Sequence, residues 1–206
     1  IRGSALAAIE AGIDRREIVV SAIEHKSVLA SAGSLRNAGF RIIEAPVDAN
    51  GVIDIPALER LVGDRTFLVS VMAVNNEVGS IQPLADVVRI SRAKGAIVHV
   101  DAAQAVGKLA LDLSDFDLAS LSAHKMYGPM GVGALFVSAA SQLKPLPLLF
   151  GGSQEAGIRP GTLPTPLIVG FGIAAKVSRA RLGSDAVHKR NLSAVFLKNI
   201  RSRQVQ

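Results

Sequence analysis

A lysine at the end of an apolar run is the residue in this sequence that most strongly suggests chemistry. In the stretch SLSAHKMYGPMGVGAL, residues 120–135, small and apolar residues stop at His124 and Lys125, and a glycine-rich turn follows. A buried amine is costly unless it is paired or used. In a desolvated site an amine has a lowered pKa and can form a Schiff base with an aldehyde. The glycines would let the chain turn away tightly after the lysine.

Polar side chains also follow the other short apolar runs of the sequence. Ligand sites in open α/β sheets lie outside the carboxyl ends of the strands. If the runs form neighbouring parallel strands, the polar residues that follow them meet in one crevice. Together with His124 and Lys125, these residues are His25, Asn76, Asp101, Gln104 and Ser122.

Each of these residues also has a simpler explanation when taken singly. His25 and Asp101 suit the start of a helix, and the amides of Asn76 and Gln104 can satisfy loop backbone. Lys125 could lie in a solvated turn. Their joint recurrence at predicted strand ends nevertheless favours a common site.

The set matches the chemical needs of pyridoxal 5'-phosphate. This cofactor needs a lysine for its aldehyde and a carboxylate beside its pyridine nitrogen, so that the ring stays protonated and acts as an electron sink. Lys125 and Asp101 suit these two tasks. The other side chains could stack on the ring, hold its phenolic oxygen and reach its phosphate: His25, then Asn76 and Gln104, then Ser122 and His124.

The pattern of apolar runs predicts the elements that would position these residues. Strands are predicted at 17–23, 41–47, 66–74, 96–100, 118–122 and 132–138, since these runs are short and rich in Val, Ile and Leu. Helices are predicted at the start of the chain and at 27–38, 55–62 and 84–94. This alternation indicates right-handed crossovers. We therefore predict a three-layer α/β/α fold with a mostly parallel, mixed sheet.

The last third of the sequence has a different character. After residue 144 the stretch KPLPLLFGGSQEAGIRPGTLPTP contains five prolines and four glycines, so a long structured loop is expected. Two helices are predicted to follow, at about 165–181 and 185–203. Residues 176–206 carry a net charge of +7 and residues 1–175 a net charge of −1. We interpret the basic segment as a solvated helix face rather than a nucleic-acid site, because no aromatic residues interleave the charges.

Composition narrows the class of protein. The 206 residues are 49% hydrophobic, enough for the core of one domain or one and a part. The sequence has no cysteine, which excludes a disulfide framework and a thiol nucleophile on this chain, and no metal site is predicted. No apolar run has the length of a membrane span and no signal peptide is visible, so we expect no membrane partner and a cytoplasmic protein.

Five motifs resemble those of the cysteine desulfurases, in the class V branch of the fold-type I pyridoxal-phosphate enzymes. In chain order they are EHKSVL, VNNEVG, HVDAAQAVGK, SLSAHKMYGPMGVGAL and RPGTLPTP. The resemblance runs through residues 1 to about 180. It implies the large domain of a pyridoxal-phosphate-dependent transferase that converts L-cysteine to L-alanine. The sulfur would leave as a persulfide for iron–sulfur cluster assembly or thio-modification, received by a sulfur-acceptor scaffold protein.

The resemblance also implies a role for each matching residue. Lys125 matches the Schiff-base lysine, and His25 matches the histidine that stacks on the pyridine ring and shuttles protons. Thr162 matches a threonine that reaches the phosphate of the other subunit, which implies a homodimer. The remaining matches bind the ring or the phosphate: Asp101 at the pyridine nitrogen, Gln104 at the phenolic oxygen, Asn76 near the ring and the substrate carboxylate, and Ser122 and His124 at the phosphate.

The sequence also departs from the family pattern. It lacks an upstream Gly-Ala-Thr phosphate loop and the C-terminal domain with the catalytic cysteine and a substrate-binding arginine. Pro160 stands in place of a serine and Met130 in place of a basic residue. We expect a central piece of the enzyme, with an incomplete cofactor-binding domain at 1–182 and a helix at 183–206 leading toward a missing small domain. Persulfide formation on this chain alone is excluded.

Two alternatives remain open from the sequence. One is another class V enzyme that uses the same lysine, such as a selenocysteine lyase, a kynureninase-like hydrolase or an aminotransferase. The other is a non-catalytic remnant that acts as a binding module. A C-terminal cysteine in a longer gene product would favour the desulfurase, and failure to bind cofactor would favour the binding module.

Overall fold

A six-stranded sheet forms the centre of the computed structural model, which describes residues 1–141 and 143–203. The sheet order is β2-β1-β3-β4-β5-β6. All neighbouring pairs are parallel except β5 and β6, which are antiparallel. The strands are β1 (Glu17–Ser21), β2 (Arg41–Ala45), β3 (Thr66–Met72), β4 (Ile97–Asp101), β5 (Leu118–Ser122) and β6 (Gly133–Val137). The predicted mostly parallel, mixed sheet is therefore confirmed.

Helices cover both faces of this sheet. They are α1 (Arg2–Glu10), α2 (Lys26–Gly33), α3 (Ile55–Leu61), α4 (Leu84–Ala93) and α5 (Thr165–Arg203). Short 3₁₀ turns lie at 36–38, 113–115, 123–126 and 154–157. Within the described residues, none of the helices combines the length and apolar character that crossing a membrane requires.

Successive side chains of the central strands pack into two core layers, one on each face of the sheet. Ile18, Val20 and Leu68 pack with α1 and α2 on one face of the sheet. The intervening residues Val19 and Val69 pack with α3 and α4 on the other face. Successive strand residues point to opposite faces, so a buried central strand needs apolar side chains on both. All seven residues of β3 are buried, as this arrangement requires. The predicted three-layer α/β/α fold is confirmed.

The prediction of two helices after residue 164 is wrong, because α5 is a single helix of 39 residues. Gly183 lies within it, and an isolated glycine lowers helix stability by only about 1 kcal/mol. Two local interactions span the expected break. Arg181 Nε lies 3.2 Å from Asp185 Oδ1, and the Ser184 hydroxyl donates to the Arg181 carbonyl at 3.0 Å. The predicted domain boundary at 182/183 therefore falls inside a continuous helix.

Candidate active site

A cavity of about 320 Å³ opens at the carboxyl ends of β3, β4 and β5. It brings together all but one of the residues that the sequence singled out. Those lining it are His25, Asn76, Asp101, Gln104, Ser122, His124 and Lys125. The exception is Thr162, which is exposed and is not among the residues that line this cavity. The expectation that polar strand ends would converge therefore matches the geometry.

Asp101 is the buried acid of the cavity. It is the last residue of β4 and pairs in register with Met72 on β3 and Ser120 on β5. Only 9% of its surface is exposed. Its Oδ1 accepts a hydrogen bond from the Ala103 backbone N–H at 2.9 Å, which fixes the carboxylate at the start of the following turn. This arrangement offers a negative charge to a cationic group in the cavity.

Gln104 is oriented by a lysine of the same turn. The Lys108 ammonium donates to Gln104 Oε1 at 2.6 Å. Burial lowers the pKa of Lys108, and the nearby positive charges of Lys189 and Lys125 lower it further. Because the amide oxygen is taken by Lys108, the Nε2 amide is the donor that Gln104 can offer to a ligand.

Two consecutive asparagines in the loop after β3 have different roles, one in the loop's own hydrogen bonds and one at the cavity. Asn75 is buried, and its Oδ1 accepts hydrogen bonds from the backbone N–H groups of Glu77 and Val78, both at 2.9 Å. Its Nδ2 donates to the Ile23 carbonyl at 3.1 Å. Asn75 thus builds the loop, which leaves the exposed Asn76 at the cavity.

Lys125 lies in the 3₁₀ turn that follows β5, residues 123–126. The turn ends at Tyr127, whose φ of +62° is unusual for a residue with a side chain. A Cβ on Gly133 would lie 2.7 Å from the Leu121 carbonyl oxygen, so a glycine is needed where the chain returns along β5. The Lys125 side chain is exposed, because the turn carries it beyond the buried end of the strand. The expectation of a desolvated amine at the strand end is therefore wrong.

Two histidines also line the cavity, His124 next to Lys125 and His25 at the start of α2. His124 Nδ1 lies 2.9 Å from the Ser122 hydroxyl, so that pair forms one polar unit beside Lys125. His25 precedes α2 as its N-cap, where Nδ1 accepts from the Ser27 backbone N–H at 3.3 Å. The Ser27 hydroxyl lies 2.8 Å from the same nitrogen. The N-cap interpretation of His25 and its placement at the cavity are thus both correct.

Sequence reasoning missed a row of polar side chains inside the sheet. His99 is buried on β4, and its two ring nitrogens lie 2.8 Å from the hydroxyls of Ser70 on β3 and Ser120 on β5. Burial lowers the pKa of His99 to about 3, so the ring is neutral at physiological pH. The signal for this row was a polar residue within each apolar run, at the fifth position of TFLVSVM and the third of IVHVD.

Glu24 is a second buried acid that the sequence analysis did not assign to the site. It is 5% exposed, and its Oε1 accepts a hydrogen bond from the Met72 backbone N–H. Its Oε2 is buried without a hydrogen-bond partner. Burial raises the pKa of Glu24 to about 8, and the negative charge of Asp101 adds to this increase against the opposing effect of the Met72 hydrogen bond. Glu24 is therefore largely protonated at neutral pH.

The chain is similar in sequence to curated proteins named cysteine desulfurase IscS. Cysteine desulfurase IscS of Rickettsia typhi is 46% identical over 194 residues, which cover 93% of this chain and 47% of the relative. The corresponding protein of Rickettsia felis is 45% identical over 194 residues, with the same shares covered. The chain thus spans about half the length of the curated relatives it matches.

Solved structures agree with this result. A structure titled "NIFS-LIKE PROTEIN" has a TM-score of 0.90 at 40% identity and covers 97% of this chain and 56% of its own. A second, titled "SspA in complex with cysteine", has a TM-score of 0.76 at 40% identity and covers 85% of this chain and 52% of its own. The family model described as "Aminotransferase class-V" matches residues 3–205. Since that match includes nearly every residue of the sequence, the chain belongs to the aminotransferase class-V family.

Proposed function

We propose that this chain is the cofactor-binding part of a pyridoxal-phosphate-dependent cysteine desulfurase, which converts L-cysteine to L-alanine. The observation that carries the proposal is the meeting of Lys125, Asp101 and Gln104 around one cavity. The names of the relatives support the reaction, since they are cysteine desulfurases. A structural neighbour whose title describes a complex with cysteine supports the substrate.

The residues around the cavity fit the functional groups of pyridoxal phosphate. The buried carboxylate of Asp101 complements a protonated ring nitrogen, and the Nε2 amide of Gln104 complements the phenolic oxygen. The Ser122–His124 unit offers donors to a phosphate. A volume of about 320 Å³ lies within the range of small-molecule sites. When bound, the cofactor supplies an electron sink for bonds at the substrate α-carbon.

The chain's own residues then hold and move protons around the substrate. Lys125 would attach the cofactor through its amine, and its exposed turn gives the side chain room to leave and accept a proton. His25, held by Ser27, would cover the ring and carry a second proton. Asp101 would keep the proton on the ring nitrogen, and Asn76 would lie near the substrate carboxylate.

The proposal extends to partners outside the cavity. The sequence has no cysteine, so the thiol that takes the sulfur as a persulfide lies outside these 206 residues. We propose a cytoplasmic homodimer in which Thr162, exposed on the surface, reaches the phosphate bound by the other subunit. The sulfur would pass to an acceptor scaffold for iron–sulfur cluster assembly or thio-modification.

The direct test is to incubate the protein with pyridoxal phosphate, reduce with borohydride and map the modified peptides by mass. We expect one pyridoxyl group, attached to Lys125. A protein with no pyridoxyl group on any lysine would contradict the proposal and favour a non-catalytic binding module.

Replacement of Asp101 tests the role of the buried carboxylate. We expect Asp101→Ala to retain part of the bound cofactor but to lose the absorbance change that an added amino acid produces, because the ring nitrogen no longer keeps its proton. The control is Asp64→Ala, since Asp64 is exposed just before β3, at the opposite end of the sheet. An unchanged absorbance response in Asp101→Ala would remove Asp101 from this role.

A further inference from the structure

The Glu24 side chain is held beside the candidate active site by a hydrogen bond from the backbone of β3. Its Oε1 accepts from the Met72 backbone N–H, and Met72 is the in-register neighbour of Asp101 in the β3–β4 pair. Glu24 lies three residues past the end of β1, and its side chain reaches across to β3. The two carboxyl groups are thus held by adjacent positions of one sheet and are both buried.

The groups that face Glu24 do not neutralise it. From β3 it meets the Ser70 hydroxyl, and from β4 it meets the negative charge of Asp101. Its Oε2 has no hydrogen-bond partner. Glu24 also lines a neighbouring cavity of about 890 Å³, and the other titratable side chains around that cavity are His25, Lys26, Asp48 and Glu77. Among all these groups, Asp101 is the one whose charge acts on Glu24.

The buried row beside Asp101 adds no positive charge either. His99 is neutral, because burial holds its pKa at about 3, and its two nitrogens are occupied by the hydroxyls of Ser70 and Ser120. An ionised Glu24 would therefore be a second uncompensated negative charge beside Asp101. Two carboxyl groups that interact in this way titrate as a coupled pair.

We propose, on the basis of the function proposed above, that Glu24 is a positioning residue for Asp101 and sets how tightly Asp101 holds a protonated ring nitrogen. Burial is the main cause that keeps the proton on Glu24, and the negative charge of Asp101 adds to it. A positive ring nitrogen beside Asp101 offsets that added charge. Cofactor binding and proton release from Glu24 therefore favour each other. This coupling is reciprocal, so a change in the protonation of Glu24 changes the affinity for the cofactor by the same factor.

The dissociation constant of pyridoxal phosphate, measured by equilibrium titration from pH 6 to pH 9, tests this coupling. Over that range the affinity of the unmutated protein should rise about 10-fold more than that of Glu24→Gln, which cannot lose a proton. Protonation of the cofactor and of Lys125 affects both proteins equally, so the difference reports Glu24. The control is Glu77→Gln, an exposed acid on the neighbouring cavity, which should behave like the unmutated protein.

The outcomes separate this inference from the proposed function. If the unmutated protein binds no pyridoxal phosphate, the proposed function is wrong and the role of Glu24 toward a cofactor falls with it. If it binds but its affinity changes with pH in the same way as that of Glu24→Gln, only the role of Glu24 is overturned. Should Glu24→Gln fail to fold, ¹³C NMR of the unmutated protein answers the same question. The pKa of Glu24 should fall when pyridoxal phosphate is added, and an unchanged pKa would overturn the inference.

Discussion

Lys125→Ala should carry no pyridoxyl group after incubation with pyridoxal phosphate and borohydride reduction. Lys125 is the lysine that lines the cavity, and it directly follows His124 in the turn after β5, beside the Ser122–His124 unit. Reduction fixes the cofactor only where an amine has condensed with its aldehyde, so removing that amine should reduce labelling of the 123–126 turn to background. Peptide mass mapping gives the site directly.

The control for this experiment is Lys108→Ala. Lys108 is half-buried, its pKa is lowered, and its ammonium donates to Gln104, which lines the cavity. These properties make it the most plausible competing amine. Lys108→Ala should still be labelled at Lys125, with weaker binding because Gln104 loses its hydrogen-bond partner. If Lys125→Ala retained the label and Lys108→Ala lost it, the assignment of the attachment lysine would be wrong.

Folding of Lys125→Ala should not complicate the result. The side chain is exposed, and the turn around it is fixed by the backbone through Tyr127 and the close approach of Gly133 to Leu121. Surface substitutions away from such features usually change stability by less than about 0.5 kcal/mol. A loss of labelling would therefore report chemistry and not unfolding.

Most of the sheet could be predicted because buried parallel strands have a strong sequence signature. TFLVSVM becomes a strand with every residue buried, and both faces of it are covered by helices. Polar residues immediately after such runs could be assigned to one edge of the sheet for the same reason, which is how Asp101 and Gln104 were found. The antiparallel β6 was predicted as a strand, but its direction depends on the tight return through Gly131 and Gly133.

The helix pattern was less informative near the end of the chain. The stretch LGSD reads as a break because glycine and serine have low helix propensity. The Arg181–Asp185 pair and the Ser184 hydroxyl, which stabilise the helix across this stretch, become apparent only from its geometry. Local propensity of this size is easily outweighed by such interactions and by packing.

The buried polar row and the buried acid Glu24 were missed because each of these residues looks ordinary in sequence. Ser70 and Glu24 lie 46 positions apart and His99 lies 29 positions beyond Ser70, so nothing local connects them. The register of β3 and β4 brings Ser70 beside His99 and Met72 beside Asp101. Only that register reveals that Glu24, bound at Met72, faces a second acid.

Glu24→Gln should make the protein more stable at pH 8 and remove much of the dependence of stability on pH. Burial raises the pKa of Glu24 to about 8 in the folded protein, from its ordinary value of 4.5. Between those two pH values the unfolded chain releases the Glu24 proton while the folded protein keeps it. The free energy of unfolding of the unmutated protein therefore falls as the pH rises from 4.5 to about 8, by an amount on the order of 4 kcal/mol. Above pH 8 this contribution stays constant.

The Glu24→Gln variant has no proton to lose at this position. Its free energy of unfolding should therefore not fall between pH 4.5 and pH 8 in this way. Near pH 4.5 the variant and the unmutated protein should be almost equally stable, because a neutral carboxyl and an amide can both accept from the Met72 N–H. At pH 8 the variant should be more stable by several kcal/mol, roughly 10 °C in Tm for a chain of this length. Urea unfolding at pH 5, 6.5 and 8, with Glu77→Gln as the exposed-acid control, measures the difference.

Parallel stability curves for Glu24→Gln and the unmutated protein would show that Glu24 is ionised in the folded state, and the coupling to Asp101 would then be wrong. A buried carboxyl that lowers stability at neutral pH is typical of sites where function and stability compete. Glu24→Gln should therefore gain stability and lose the pH-dependent part of cofactor binding together. A variant that gained stability while keeping that pH dependence would locate the proton release in another group, and Glu24 would be only a destabilising residue of the core.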